Sequence, residues 1–304
     1  MSDSVMTRAL FCIACLCVAV PRASAQGNPP GTVTVSGAVT GIHQFDVDLD
    51  QGGHVQWSSA AINGSVTRQF VPAFAAGISL RYASEDWRFD SPVAFGGTPP
   101  WQDLRRASAG LNLSLALSHT LLVGLSPNVE WAYDTGASTG DALTYGAVVS
   151  AVKVVRTGMT LGAGASVQRK FYSVKVSPFV IVNWKLNDHL RIANTTSAGP
   201  EGGAGVELRW TLTPVWELAG GGVTKSDRYR LAQTGPNAGN VAEISSIPMF
   251  ARLSRKLGPN FKADFYAGAM AQGRLRIKDP NGHELASTDC GVAPAIAATL
   301  SLKY

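Results

Sequence analysis

Charged residues are scarce in this chain, and beyond the N-terminus it has no long apolar run. Asp, Glu, Lys and Arg make up 15% of the 304 residues, against roughly 25% in ordinary soluble domains. The hydrophobic share is nevertheless an ordinary 45%, and glycine is abundant. Because a membrane-spanning helix needs roughly 18 or more consecutive apolar residues, the sequence excludes helical spans after its first residues.

The start of the chain has the pattern of a secretory signal peptide. Arg8 provides a basic beginning, Ala9 to Val20 form an apolar core, and Ala23-Ser24-Ala25 matches the small-x-small cleavage pattern. We therefore expect residues 1–25 to be a signal peptide. The mature protein would then begin at Gln26 as an exported chain.

Cysteine is almost absent from the expected mature chain. Cys12, Cys15 and Cys17 lie in the signal peptide, which leaves Cys290 alone. A single cysteine excludes an internal disulfide framework and a cysteine metal cluster, in spite of export to an oxidising compartment. Basic residues are in slight excess but form no Lys/Arg run, so nucleic-acid binding is not indicated.

Apolar residues alternate with small or polar ones along the expected mature chain. Period two is typical of β-strands, whereas a helix would place the two sets on overlapping faces. The final segment is the clearest case: its apolar face carries Val292, Pro294, Ile296, Ala298, Leu300, Leu302 and Tyr304. Similar segments begin near Leu111, Val123, Val174, Val206 and Phe261, while the N-terminal third alternates less regularly.

Turn residues divide the chain into about fourteen strands, with twelve as the fallback, each near the ~10 residues that a tilted membrane strand needs. Short breaks lie near residues 118–120, 156–158, 187–189, 213–214 and 258–260. Longer polar connections lie at residues 89–104, 134–141, 228–240 and 279–288. Outer-membrane barrels place short turns in the periplasm and long loops outside. The pattern predicts one antiparallel transmembrane β-barrel over residues 26–304, with the C-terminus at the periplasmic face.

The composition of the two strand faces indicates which one contacts lipid. A soluble sandwich would expose many Lys and Glu, whereas the polar face here is rich in Gly, Ala and Ser. Aromatic residues near strand ends suit the two interfacial girdles of a membrane barrel: Tyr82, Trp131, Tyr133, Trp184, Trp210 and Tyr304. We expect the apolar face to meet lipid. Ordinary core packing of the aromatic residues is the alternative.

Charges on the polar face should then point into the lumen, because a charge facing lipid costs ~2–4 kcal/mol at mid-membrane. The predicted lumen-lining residues are Lys175, Lys185, Glu207, Arg209, Lys262, Asp264, Arg274, Arg276 and Lys278. In an open pore this set would govern ion preference, slightly favouring anions. Alternatively, opposed charges cross-link a narrow or plugged lumen.

The last quarter of the chain resembles an uncharacterised family of bacterial outer-membrane β-barrels, known only as a domain of unknown function. The likeness is carried by Tyr229-Arg230-Leu231, Tyr266-Ala267-Gly268, the Asp279-Pro280-Asn281-Gly282 turn and the strand from Thr299 to Tyr304. A terminal aromatic residue after an alternating strand is also the pattern that such barrels present to their assembly machinery. The resemblance implies a barrel in the outer membrane and brings no substrate or catalytic residue.

Candidate catalytic and cofactor patterns are weak. The glycine-rich run at residues 162–167 lacks the third glycine and the helix of a phosphate-binding loop, so we interpret it as part of a strand. The five histidines show no metal-ligand spacing. His54, and His283 with Asp279 and Glu284 nearby, are the best candidates for an outer-membrane hydrolase, but no nucleophile, base and orienting group converge.

Three functions follow from the sequence, in order of preference. The first is a passive, porin-like channel for small polar solutes, with no cofactor and no enzymatic activity. The second is a structural or surface-binding barrel with a closed lumen, whose long loops, especially residues 91–104, contact something outside. The third is a hydrolase. The expected partners are outer-membrane lipid and, through the last strand, the barrel-assembly machinery.

Overall fold

The structure is a computed structural model that describes residues 28–194, 200 and 204–304. The predicted signal peptide lies outside the described residues. Almost all of the described chain is β-strand, and no helix within it is both long and apolar enough to span a membrane. A short 3-10 helix covers Val93–Phe95, and the strands are β1 Val33–Asp48, β2 His54–Val71, β3 Phe74–Asp90, β4 Asp103–Ala116, β5 Leu121–Asp134, β6 Leu143–Arg156, β7 Met159–Lys170, β8 Ser173–Lys185, β9 Leu190–Ala193, β10 Ala204–Thr211, β11 Trp216–Arg230, β12 Val241–Lys256, β13 Phe261–Lys278, β14 Glu284–Cys290 and β15 Ala293–Lys303.

The strands form one closed barrel. Up to β14, each strand pairs antiparallel with the next along the chain, and β15 pairs with β1 to close the sheet. Both β14 and β15 pair with β13, so they are two parts of one barrel strand. The closure continues to the last residue, because Val35 and Tyr304 exchange two backbone hydrogen bonds of 2.8 Å. The predicted barrel of fourteen strands is confirmed.

The two ends of the barrel differ in the length of their connections. At the end that holds both termini of the described barrel, called here the short-turn end, the turns are residues 72–73, 117–120, 157–158, 186–189, 212–215 and 257–260. The opposite, long-loop end holds the connections 91–102, 135–142 and 231–240. Each predicted short break and long connection lies at its expected end. The last long connection is shorter than predicted, because a strand already begins at Glu284.

One turn at the long-loop end breaks the predicted alternation of short and long connections. Phe171 and Tyr172 alone join β7 to β8. The Tyr172 ring lies 4.7 Å from the Arg228 guanidinium and 5.5 Å from the Lys278 ammonium. Its hydroxyl also donates a hydrogen bond of 3.0 Å to Glu243. The tip of this short hairpin therefore contacts β11, β12 and β13.

In the half of the barrel nearest the short turns, called here the wide section, large apolar side chains point outward. On β3, Leu80 is 60% exposed while Ala75 and Ala83, on the other face, are buried. The same pattern recurs at Val176, Val206 and Leu300. Lipid stabilises such a continuous apolar band, which water would not. Toward the long loops the band ends at Tyr82, Trp131 and Tyr133, and toward the short turns at Trp184, Trp210 and Tyr304.

Nearer the long loops, the polarity of the strands inverts. The outward face of β3 continues beyond Tyr82 with Ser84, Asp86 and Arg88. Its inward face carries the buried Trp87 instead of small residues. Polar outside and apolar inside is the arrangement of a water-soluble β-barrel. The same strands therefore pass from lipid into water without interrupting the sheet.

This outer section, called here the cap, has fewer strands than the wide section. The described ladder of β11 with β10 runs as far as Thr224, and the outer end of β11 pairs in parallel with β5, through Arg230 and Tyr133. The cap is thus a ring of nine strands, which are the outer ends of the five strands β1–β5 and the four strands β11–β14. Its interior is an apolar core that includes Val55, Trp57, Trp87, Trp101, Leu104, Tyr229, Leu231, Ile244, Leu275 and Ile277.

The position of the apolar band is testable on β2, where Val66 and Gln56 share the outward face. Val66 lies in the wide section and Gln56 at the level of the cap. We expect Val66→Lys to lower the free energy of unfolding by about 2–4 kcal/mol, because its ammonium faces lipid, and Gln56→Lys to change it by less than about 1 kcal/mol. Urea-induced unfolding in lipid vesicles measures both. Equal costs would contradict this position of the band.

Candidate functional site: the lumen

Small and hydroxyl-bearing residues line much of the lumen of the wide section. On β7 they include the inward-facing Gly162, Gly164 and Ser166. A Cβ at Gly164 would lie 2.4 Å from the Phe179 ring, so glycine makes room for that side chain. The run at residues 162–167 is part of a strand, as expected. Its residues shape the lumen wall and form no phosphate loop.

Arg252 of β12 is the centre of a buried ion-pair cluster in the wide section, called here the Arg252 cluster. Its guanidinium lies 3.0 Å from Glu207 of β10, 3.0 Å from Glu217 of β11 and 3.1 Å from Asp264 of β13. Two further cations belong to the cluster: Arg209 lies 2.9 Å from Glu207, and Lys262 lies 3.0 Å from Asp264. The side chains of Arg252 and Glu207 are only 3% and 2% exposed, so this charged face is the inside of the barrel.

A second cluster crosses the lumen between strands that are not neighbours in the wide section. Arg106 of β4 contacts Asp227 of β11 at 2.7 Å and donates a hydrogen bond of 2.8 Å to the Tyr229 hydroxyl. That hydroxyl donates in turn to Glu85 of β3 at 2.8 Å. Lys225 lies over the Trp57 ring at 4.7 Å. Five of these side chains hold β11 against the opposite wall and are called here the latch: Glu85, Arg106, Lys225, Asp227 and Tyr229.

The latch continues into the apolar core of the cap. Tyr229 is 1% exposed and belongs to both, since its ring packs in the core while its hydroxyl joins the ion pairs. Trp57 stacks on Trp87 at 5.5 Å between ring centroids, and Trp101 packs edge-on against Trp87 at 5.9 Å. Within the described residues, the cap therefore closes the long-loop end of its own ring of strands.

A third cluster surrounds Glu243 at the tip of the β7–β8 hairpin. Arg228 and Arg276 each contact the Glu243 carboxylate at 2.8 Å, and Lys278 does so at 3.4 Å. The Arg228 guanidinium also donates to the Ser173 hydroxyl at 2.8 Å. Three cations around one carboxylate join β11, β12 and β13 to β8.

The structure brings together four of the nine predicted lumen-lining residues, because Glu207, Arg209, Lys262 and Asp264 all belong to the Arg252 cluster. Lys175 and Lys185 share the face of β8 that carries the buried Ser177 and Ile181. Lys185 also contacts Asp188 of the adjacent turn at 2.6 Å.

The remaining three predicted residues lie at the outer end of β13. A bulge there, at which Gln272 has a φ of 49°, shifts the register of the strand. Beyond it, Leu275 and Ile277 point into the core of the cap, and Arg274, Arg276 and Lys278 lie on the other face. Arg274 contacts Asp289 at 3.1 Å, while the other two surround Glu243.

Several central residues were not among those predicted. Phe250, Arg252 and Ser254 share one face of β12. The alternation of this strand could therefore have predicted that Arg252 faces the lumen. Glu130 of β5 lies 3.8 Å from the Arg106 guanidinium and 2.9 Å from the Lys170 ammonium. The alternation of β4 and β5 could likewise have placed Arg106 and Glu130 on the polar face. No sequence signal could have paired Arg106 with Asp227, because their contact depends on β11 crossing to the opposite wall.

Both histidine candidates for hydrolysis are exposed, His54 as the first residue of β2 and His283 in the turn before β14. His54 contacts Asp48 at 2.8 Å, and His283 contacts Asp279 at 3.0 Å. The hydrogen bond from His283 lowers the pKa of Asp279, with backbone N–H groups of the turn assisting. Among the hydrogen bonds of the described residues, neither of these histidines meets a serine or threonine hydroxyl. The described residues also contain no group of three possible metal ligands.

A closed antiparallel sheet with an apolar exterior and a charged lumen defines a membrane-spanning β-barrel. No protein-family model and no curated protein matches the chain. Similar solved structures include the toluene transporter TbuX of Ralstonia pickettii, at 11% identity over 89% of each chain with a TM-score of 0.46. An outer-membrane channel of Pseudomonas putida F1 is 9% identical over 94% of this chain and 100% of that chain, with a TM-score of 0.45.

The Arg252 cluster makes a testable contribution to stability. We expect Glu207→Gln to lower the free energy of unfolding by about 3–5 kcal/mol, because it leaves the buried Arg252 with less compensating charge. Asp86→Asn, which removes an exposed partner of Arg88 on the outer face of β3, should change stability by less than about 1 kcal/mol. Urea-induced unfolding in vesicles compares the two variants. A Glu207→Gln barrel as stable as the wild type would show that the cluster has no stabilising role.

Proposed function

We propose that this protein is an outer-membrane barrel that provides a passive channel for small polar solutes. In the conformation described, the cap closes this channel. The observation that carries the proposal is the charged lumen of a fourteen-stranded barrel. Eight strands leave an interior that side chains fill, whereas sixteen to eighteen leave an aqueous channel. Fourteen strands lie closer to the second case.

Location and orientation follow from the same geometry. Closed barrels with short turns at one end are the β-structures that cross bacterial outer membranes, with the short turns in the periplasm. The lumen would then open toward the periplasm, and the cap would project from the outer surface. The last strand, β15 with Tyr304, would be presented to the assembly machinery before it pairs with β1.

Closure of the proposed channel depends on the latch. β11 crosses to β5 and is held there by the ion pair of Arg106 with Asp227 and by the hydroxyl of Tyr229. Both side chains of this ion pair are less than one-seventh exposed, at 13% and 11%. Among the described residues, removing the Asp227 charge leaves Arg106 with only the more distant Glu130, at 3.8 Å, as an ion-pair partner in a region of low dielectric constant, which destabilises the closed arrangement.

Conductance of the purified barrel in a planar lipid bilayer tests this proposal. We expect the wild type to open rarely and Asp227→Asn to open more often and for longer. Asp86→Asn is the matched control, because Asp86 forms an exposed pair with Arg88 on the outer face of the same region. It should behave as the wild type does. Heat-modifiable gel migration confirms that each barrel is folded.

Absence of conductance steps from both the wild type and Asp227→Asn, with both barrels folded, would contradict the channel. It would favour the second candidate, a closed barrel that binds something at its surface. The observation in favour of that candidate is a cleft of about 290 Å³ between the long loops. Its lining includes Pro99, Pro100, Asp103, Asp134, Leu231 and Asn237.

A further inference from the structure

Three basic residues follow one another across neighbouring strands near the short turns. Lys185 of β8 is directly paired with Arg191 of β9, and Arg191 is directly paired with Arg209 of β10. Directly paired residues share one face of a sheet, with Cβ atoms about 4.5–5.5 Å apart. These three residues are called here the basic row. The same line of pairs continues through Ala219 of β11 to Arg252 of β12.

The basic row faces the lumen. Arg209 meets the buried Glu207 on the inside of the barrel, and residues paired with Arg209 must share that side. The opposite face of the same strands carries the exposed Leu208 and Trp210. The row therefore lies at the rim of the lumen, beside the turn at residues 186–189.

The nearby carboxylates in the part of the chain that the structure describes leave Arg191 without a partner. Glu207, Glu217 and Asp264 are all held by Arg252, and Glu207 also contacts Arg209 of the row at 2.9 Å. Lys185 has a partner in Asp188, but that aspartate is 89% exposed on the turn. Among the described residues, Arg191 has no carboxylate at ion-pair distance. Arg191 thus lies between two cations that each have one carboxylate partner, and its own charge is the least compensated of the three.

Like charges at directly opposite positions of a sheet destabilise it. The row contains two such pairs in succession, and β9 has only four residues with which to offset them. An anion placed between the side chains would relieve this repulsion. Guanidinium groups donate two parallel hydrogen bonds to a carboxylate or a phosphate, so small oxyanions suit the row better than halide ions do.

We infer that Lys185, Arg191 and Arg209 form a binding site for small oxyanions at the short-turn mouth of the lumen. As a statement about the solute class of the channel, the inference rests on the proposed function. The binding of oxyanions at the basic row does not depend on the proposed function. Lys175, farther along the lumen face of β8, would extend the attraction inward.

Thermal unfolding of the full barrel in detergent micelles tests binding without requiring conductance. Inorganic phosphate should raise the unfolding temperature of the wild type above its value in sodium chloride of equal ionic strength, because a ligand of the folded state stabilises it by mass action. Arg191→Gln should lose most of this rise. Without phosphate, Arg191→Gln should unfold at a higher temperature than the wild type, because it removes two repulsive pairs.

Lys153→Gln is the matched control. Lys153 is a basic residue near the same end of the barrel, but it is paired with Leu121 and Leu161 on the outward face of β6. It should keep the full response to phosphate. A phosphate response in Arg191→Gln equal to that of the wild type would overturn the site, as would an unfolding temperature that falls in its absence.

Reversal potentials in a potassium chloride gradient test the statement about the solute class of the channel. If the barrel conducts, the wild type should prefer chloride to potassium, and Arg191→Gln should lose part of that preference while Lys153→Gln keeps it. A conducting wild type that prefers potassium would overturn the solute class. A phosphate-dependent rise in unfolding temperature without any conductance would uphold the site and remove the channel.

Discussion

Backbone N–H and C=O groups have no water to bind inside a bilayer, and this constraint explains the closed sheet. Strand pairing satisfies the backbone from β1 around to β15, and the last residue takes part, since Tyr304 exchanges two hydrogen bonds with Val35. The apolar exterior and the polar interior follow, because a closed sheet has one face toward lipid and one toward the lumen. Where the strands leave the bilayer, water replaces lipid and the polarity inverts. Closure is kept in the cap by different pairs, with β11 joining β5.

The barrel itself could be predicted from the sequence, because its strands obey a local rule. Alternation with period two, turn residues and an alternating C-terminal segment are readable without knowing which strands meet. The cap could not be predicted in this way. On β3 the outward face changes from Ile78, Leu80 and Tyr82 to polar residues without any break in the strand. A rule that assigns apolar residues to one face reads this inversion as irregular alternation, which is why the N-terminal third gave a weaker signal.

The ion-pair clusters show the same limit. The polar face of each strand could be listed, and Glu207, Arg209, Lys262 and Asp264 were found in that way. Their partner Arg252 was missed, although its own strand alternates. The latch depends on contacts between distant parts of the chain, such as Arg106 with Tyr229, which stand 123 positions apart. Such pairs arise from the path of β11 and leave no spacing in the sequence.

The path of β11 also determines how the proposed channel can open. At its short-turn end this strand contributes Glu217 to the Arg252 cluster, and at its outer end it contributes Lys225, Asp227 and Tyr229 to the latch. Most of the remaining neighbours in the cap are joined by antiparallel ladders, such as those of β2 with β3 and β12 with β13. The ends of β1 and β14 meet at one bridge, Leu49 with Cys290, which is flanked by backbone hydrogen bonds from Asp50 to Asp289 and from Gly291 to Asp48. The parallel contact of β11 with β5 consists of a single residue pair, Arg230 with Tyr133. Separating a ladder would expose a long row of backbone groups, whereas separating β11 from β5 exposes few. Opening should therefore occur by movement of the outer end of β11 away from β5 rather than by rearrangement of the long loops.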